Sequence, residues 1–321
     1  MNNKGFGAIK EIIPHTRDYE YERVCGASGT SFPEEFEIPR TNTGSDKDQG
    51  TVGACVAEVI AQISEELWKR QLGEQEEHSE GYIYAKFRSE GSRGYGLIPA
   101  IAMKAWMDVG TLPKKYYDKL YEMPDMRNII DKFPEFDQIA NKYRSTGFVR
   151  LYKDNEIKDA LSKNLYGLVG ISHEYFGESH AIEITGWNDK KDCYKFKNSW
   201  GIDYRDKGYG ELPKAEVDAV YLPILEDIKL PFVDVPEDAW YFKYVKNMYF
   251  NGYMQGTSDT TFKPEKFMTR AEVATLIYRV LEAMDDRFDI INKVNTRVSP
   301  SIWNRIKSAV KKFFKGIKKR R

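Results

Sequence analysis

Residues 48–68 read Asp48-Gln49-Gly50-Thr51-Val52-Gly53-Ala54-Cys55-Val56-Ala57-Glu58-Val59-Ile60-Ala61-Gln62-Ile63-Ser64-Glu65-Glu66-Leu67-Trp68. A polar loop with two glycines runs into a segment with apolar residues at helical spacing. Val56, Val59, Ile60, Ile63, Leu67 and Trp68 share one face. Gly73 is the expected stop. Cys55 therefore stands where loop becomes helix. The partial positive charge of a helix N-terminus favours thiolate over thiol, and thiolate is the nucleophile. Gln49 lies upstream in the same loop, which could fold its amide back beside the sulfur. There an amide N–H and the backbone N–H of Cys55 would hold a developing oxyanion.

Downstream, Pro99–Val109 reads as a second helix, opened by its proline and closed by Gly110. Residues 113–146 are charged, aromatic and irregular, with room for short helices, and Asn155–Lys163 looks helical. Then the period changes to that of strands. Leu165–Ser172 is an apolar run, His180–Trp187 alternates, Asn188–Asp192 is a turn, and Cys193–Lys197 alternates again to give a hairpin. Gly208–Leu212 is one more short strand. His180 opens one hairpin strand and Asn198 follows the other. An imidazole beside Cys55 would hold the thiolate as an ion pair and later protonate a leaving amine. Asn198 could accept the imidazole N–H, and Trp200 could cover that bond from water. Each residue also has a plainer reading: Cys55 as a buried structural thiol, His180 as a strand histidine, Asn198 as a turn residue. Upstream, Phe32-Pro33 and Ile38-Pro39 are extended, since the residue before proline avoids the helical region. Helices first and antiparallel strands later imply an α+β domain of two lobes.

Asp48-Gln49-Gly50 with Gly53-Ala54-Cys55, then Ser179-His180-Ala181, then Lys197-Asn198-Ser199-Trp200-Gly201 resemble the papain-like (C1) cysteine proteases in order, spacing and flanks. Phe36-Glu37-Ile38-Pro39-Arg40 resembles the start of the mature domain in that family. The resemblance spans residues 31–225. It implies a helical lobe and an antiparallel β-barrel-like lobe, with a peptide cleft between them. It also implies Cys55, His180, Asn198 and Gln49 as catalytic residues. Gly94, Tyr95 and Gly96, with Ser179 and Trp200, would bind substrate, the glycine loop by strand addition. Two departures stand out: Val52 replaces a cysteine that forms a structural disulfide in many members, and Val56 replaces a bulky aromatic. Only a short N-terminal segment, residues 1–30, precedes the mature-like start, and it is expected to act as a pro-like or capping segment over the cleft.

A second unit occupies residues 229–285, with helices expected at Trp240–Asn251 and Thr269–Ala283. Thr269 followed by Glu272 fits a capping box. Phe232-Val233-Asp234-Val235-Pro236, Trp240, Gly252, Gly256, Phe262-Lys263-Pro264 and Met268-Thr269-Arg270-Ala271-Glu272 resemble one S-layer homology motif. That resemblance implies attachment to anionic cell-wall polysaccharide through Asp234, Trp240, Thr269, Arg270 and Glu272. Such modules usually act in threes, so a single copy makes a homotrimer an expectation. A small helical packing domain is the plainer alternative.

The chain has 321 residues, 49 basic and 49 acidic, but the balance hides an asymmetry. No Asp or Glu follows Asp289, and beyond a linker at 286–299 the segment 300–321 is a basic amphipathic helix. Ile302, Trp303, Ile306, Ala309, Val310, Phe313, Phe314 and Ile317 form its apolar stripe. This is the pattern of an interfacial helix on an anionic membrane surface. Docking on the protein's own surface is the alternative. No nucleic-acid partner is expected, because no aromatic-rich sheet or recognition helix accompanies the basic end.

Only three cysteines occur, too few for a disulfide framework and without zinc-ligand spacing, so neither metal nor cofactor is expected. Cys25 and Cys193 read as unreactive, and His15, His78 and His173 as surface residues. The N-terminus shows no apolar stretch of a secretory signal. Synthesis in the cytoplasm with action at the cell envelope or outside the cell is the expected course. The leading expectation is a cysteine-type endopeptidase tethered at the envelope. The alternative is a surface-binding or membrane-active protein with the cationic helix as effector. An acyl-transfer variant of the same site is a third.

Overall fold

The computed structural model describes residues 8, 21–26, 28–29, 31–73, 75–88, 96–120, 128, 130–225, 230–250 and 253–279. These fall in two compact units divided between Lys266 and Phe267. In the first, helix α1 (Tyr21–Cys25) and strand β1 (Glu35–Glu37) lead to the long helix α2 (Cys55–Leu72). Helices α3 (Glu80–Lys86), α4 (Pro99–Asp108) and α5 (Pro134–Ala140) follow. Strand β2 (Gly147–Leu151) and helix α6 (Asp154–Asn164) come next. The rest of the sheet is β3 (Leu168–Ser172), β4 (His180–Asn188), β5 (Cys193–Lys197), β6 (Tyr209–Pro213) and β7 (Ala219–Ile224).

The chemistry of α2 explains its place at the centre. Its apolar face is buried, and the helix packs on β3 and β4 as well as on α3 and α4. Even Glu58, Gln62, Ser64, Glu65 and Glu66 are buried on it. The helix stops where the sequence predicts: Gly73 takes a left-handed conformation (φ 70°), and its N–H reaches Lys69 O at 3.0 Å. α4 opens at Pro99, whose missing N–H costs nothing in a first turn.

The sheet has seven antiparallel strands in the order β2-β7-β3-β4-β5-β6, with β1 added to β4. β4 is its axis. Its first half pairs with β3, from Leu168↔Ile184 to Ser172↔His180, and its end pairs with β1. Where β1 crosses, a Cβ on Gly186 would lie 2.2 Å from Phe36 O, so only glycine admits that strand. Phe36 and fully buried Trp187 stack there, ring centroids 4.7 Å apart. The expected lobes are present, but the sheet is open: among the described residues β2 and β6 are free edges, and no barrel closes.

Beyond the sheet, helix α7 (Phe242–Phe250) belongs to a small cluster whose core is Phe232, Val235 and Val245. In the second unit, residues 270–279 form helix α8. The capping box at its start forms as expected: Thr269 N donates to Glu272 Oε2 at 2.6 Å, and Glu272 N to Thr269 Oγ1 at 3.2 Å. Residues 300–321, the expected basic helix, lie outside the described residues.

Candidate active site

Cys55 is the first residue of α2, and its N-cap is Ala54, which has no side-chain acceptor to spend on the first-turn N–H groups. The helix end therefore keeps its positive field directed at the loop in front of it. Gln49 sits in that loop. Its Nε2 donates to Val52 O at 2.7 Å, and its Oε1 accepts from Ser199 Oγ at 2.6 Å. The loop before α2 is also joined by main-chain bonds to the loop after β5. Gln49 N donates to Ser199 O at 3.0 Å, Gly201 N donates to Lys47 O at 2.9 Å, and Asp48 bridges to Trp200.

His180 is the first residue of β4, and Asn198 directly follows β5, its hairpin partner. His180 Nε2 and Asn198 Oδ1 are 2.7 Å apart, and Asn198 Oδ1 also accepts Ser199 N at 2.7 Å. An amide oxygen only accepts, so this bond places the proton on Nε2 and leaves Nδ1 as the basic nitrogen. The Trp200 ring lies over the imidazole with centroids 4.5 Å apart, and Phe176 meets it edge-on at 4.8 Å. Both rings shield the hydrogen bond. Burial pushes the His180 imidazole down to about 4, and the bond to Asn198 pulls the other way. A neutral ring in a dry aromatic box is poised to take a proton only when a negative partner forms beside it.

Cys55 and His180 are both fully buried. Ala8, also buried, forms a parallel bridge with Leu97, next to Gly96. Gly96 has a positive φ of 91°, and its N–H donates to Tyr84 Oη at 3.1 Å. Gly94 and Tyr95 lie outside the described residues. Ser179, beside the imidazole in sequence, shares a 2.6 Å hydrogen bond with His173 Nδ1. Sequence reasoning missed Phe176, because one aromatic in an irregular turn carries no periodic signal. It also misplaced His78, which is 1% exposed rather than at the surface. His78 Nδ1 lies 2.9 Å from Ser64 Oγ and 2.7 Å from Thr111 Oγ1, enclosed between α2 and the 111 turn. Among the described residues no cluster of His, Cys, Asp or Glu is arranged to hold a metal, and no helix is long and apolar enough to cross a membrane.

The expected wall-binding residues fall in two groups. Asp234 turns its carboxylate inward, accepting Phe262 N at 2.8 Å and Lys263 N at 2.7 Å. Trp240 is 82% exposed. In the other unit Thr269 and Glu272 cap α8, and Arg270 is exposed at its first turn.

Comparison with known proteins identifies the family and the fold. The family model described as papain family cysteine protease matches residues 32–221, and that described as S-layer homology domain matches residues 231–274. Among solved structures, xylellain, a cysteine protease from Xylella fastidiosa, is 18% identical. It aligns over 70% of this chain and 98% of its own, with a TM-score of 0.57. Digestive procathepsin L2 from the Tenebrio molitor larval midgut is 19% identical over 70% of this chain and 79% of its own, TM-score 0.54. These likenesses show the fold. Two curated relatives match short stretches only. Outer membrane protein alpha of Thermotoga maritima is 36% identical over 56 residues, and an endoglucanase of a Bacillus species 41% over 51 residues. The chain spans 14% and 5% of their lengths.

Proposed function

The chain belongs to the papain family of cysteine proteases, and on that premise we propose that it hydrolyses peptide bonds through Cys55, His180, Asn198 and Gln49. A protease domain followed by an S-layer homology domain supports a peptidase associated with the cell envelope.

The observation that carries the catalytic reading is the buried 2.7 Å bond between His180 Nε2 and Asn198 Oδ1 under Trp200. It orients the ring with Nδ1 free of the asparagine, the nitrogen that a proton from sulfur needs. In the proposed reaction the Cys55 proton passes to His180 Nδ1, and the thiolate attacks the scissile carbonyl carbon. The oxyanion is held by the Gln49 amide and the Cys55 N–H. The C–N bond breaks as His180 returns its proton to the leaving amine, leaving a thioester. Water then gives a proton to His180 and its oxygen to the acyl carbon, and the acid leaves Cys55 with its thiol restored. Gly96, with Gly94 and Tyr95, would pair with substrate backbone, and Ser179 and Trp200 would border the cleft. The test is peptide hydrolysis by Cys55→Ala. Loss to background is expected, and retained turnover would end the reading.

Two further assignments belong to this proposal. Residues 1–30 act as a covering segment, a reading favoured by the buried Cys55 and by the Ala8 bridge beside Gly96. Asp234, Trp240, Thr269, Arg270 and Glu272 are assigned to binding of anionic wall polysaccharide. Arg270 at a helix N-terminus suits an anionic group. Residues 300–321 add contact with an anionic membrane, and the single S-layer homology copy would bring three chains together. Light scattering at the monomer mass would contradict the trimer.

A further inference from the structure

We propose that Lys47 is a positioning residue for this site: its buried ammonium, clamped between Glu65 and Glu80, fixes the loop that presents Gln49 to the oxyanion. The proposal rests on the catalytic reading of Gln49 given above.

Lys47 stands two residues before Gln49, yet its side chain is 1% exposed. Its Nζ lies 2.7 Å from Glu65 Oε1 on α2 and 2.6 Å from Glu80 Oε1 on α3. The carboxylates are tied down in turn. Glu65 accepts Ser45 N at 2.6 Å and His78 N at 2.9 Å, and Glu80 meets Lys114 Nζ at 3.1 Å. Burial pushes the Lys47 ammonium down, but the two carboxylates outweigh it and hold the group charged. A charge so placed has one low-energy position, because any excursion leaves a buried ammonium without its carboxylates. The Lys47 main chain then carries that fixed position to the site. Its carbonyl accepts Gly201 N at 2.9 Å, Asp48 bridges to Trp200, and Gln49 N reaches Ser199 O at 3.0 Å. One buried ammonium thus holds the Gln49 loop against the Asn198–Trp200 segment, which β5 and the 2.9 Å bond from Asn198 N to Gly208 O anchor separately.

A residue that acts only through Gln49 affects steps that form an oxyanion. Alkylation of Cys55 by iodoacetamide is a displacement at carbon and forms none. Lys47→Met should therefore lower kcat for peptide hydrolysis by roughly 10- to 100-fold, less than the roughly 100- to 1,000-fold that outright loss of one oxyanion donor costs. KM and the Cys55 alkylation rate should stay within about threefold. Gln49→Ala should show the same split. The double variant Lys47→Met/Gln49→Ala should be no slower than Gln49→Ala alone, since both changes remove one interaction. Lys47→Arg should restore most of the rate. Should Lys47→Met not fold, adding Glu65→Gln and Glu80→Gln removes the stranded carboxylates and carries the same cycle. Additive losses in the double variant, or alkylation falling in step with hydrolysis, would overturn the proposal. If Gln49→Ala itself leaves hydrolysis unchanged, the catalytic reading fails instead, and the two failures are told apart.

Discussion

At the residue scale, the buried ionisable groups of β4 make the site depend on pH in two directions. His180 is held neutral by burial, so it disfavours the fold as pH falls from its usual 6.5 toward about 4. Glu183, three residues along the same strand, acts the other way. Burial raises its carboxyl to about 8, Lys197 opposes that, and Glu66 and Glu65 on α2 reinforce it. Among the described residues neither Glu183 oxygen has a hydrogen-bond partner, and the cross-strand Lys197 is engaged with Gly44 O and with Asp46 at 3.0 Å. Because the folded carboxyl binds its proton more tightly than the unfolded one, its contribution is complete at acid pH and is lost as pH rises from about 4.5 to about 8. Glu183→Gln cannot ionise. Thermal unfolding of the two proteins should coincide near pH 3.5, below both values, and the variant should gain on the natural chain by pH 9, by on the order of 4–5 kcal/mol. A difference independent of pH would show that Glu183 titrates in the fold as it does in the unfolded chain. The sequence hides this residue: Ala181-Ile182-Glu183-Ile184-Thr185 reads as a strand with one wet face, but α2 packs on β4 and every residue of the strand is buried.

At the element scale, the parts of the fold that were legible are those with local signals. The helix from Cys55 to its stop at Gly73, the hairpin β4–β5 with its turn, and the Thr269–Glu272 box all follow from spacing and end residues. The helix expected at Asn155–Lys163 runs one residue further at each end, and the one expected at Pro99–Val109 stops one residue earlier. β2 and β7 were not read, because their partnership joins Gly147 to Ile224 across the chain. β7 also contains Pro223, which argues against an interior strand. The structure admits it because β3 stops pairing at Tyr221, leaving no ladder bond for the missing N–H to fill. The β1–β4 junction gives a sharp test of packing. Gly186→Ala places its methyl on Phe36 O and 2.8 Å from Glu37 Cα. It should cost about 1–3 kcal/mol. The check is urea unfolding. An unchanged midpoint would show that β1 is not held against Gly186.

At the scale of the whole molecule, the sequence points to a protease-like body and an S-layer-homology-like unit, and separates them by their motifs. The proposed catalytic residues stand out in the sequence because each needs one chemical type in one order. The cleft-lining loops do not, since their side chains are fixed by tertiary contacts such as the one between Gly96 and Tyr84. The proposal assigns hydrolysis and attachment to different segments. A chain ending at Leu225 should keep peptide hydrolysis within about threefold and no longer sediment with cell-wall material. A chain ending at Ser299 should keep wall binding and lose binding to anionic liposomes. Wall binding that survives the first cut would place attachment in the catalytic body. The central claim remains that Cys55 is an activated nucleophile beneath a removable cover. It is tested most directly by intact mass after exposure to an epoxide-type thiol-protease inhibitor. The full chain, a chain beginning at Ser31, and Cys55→Ala are compared. The account predicts one adduct, on Cys55 and not on Cys25 or Cys193, with hydrolysis lost in step. The adduct should form roughly tenfold or more faster in the shorter chain, and Cys55→Ala should take none. No adduct on Cys55 in either chain, or labelling spread evenly over the cysteines, would contradict it.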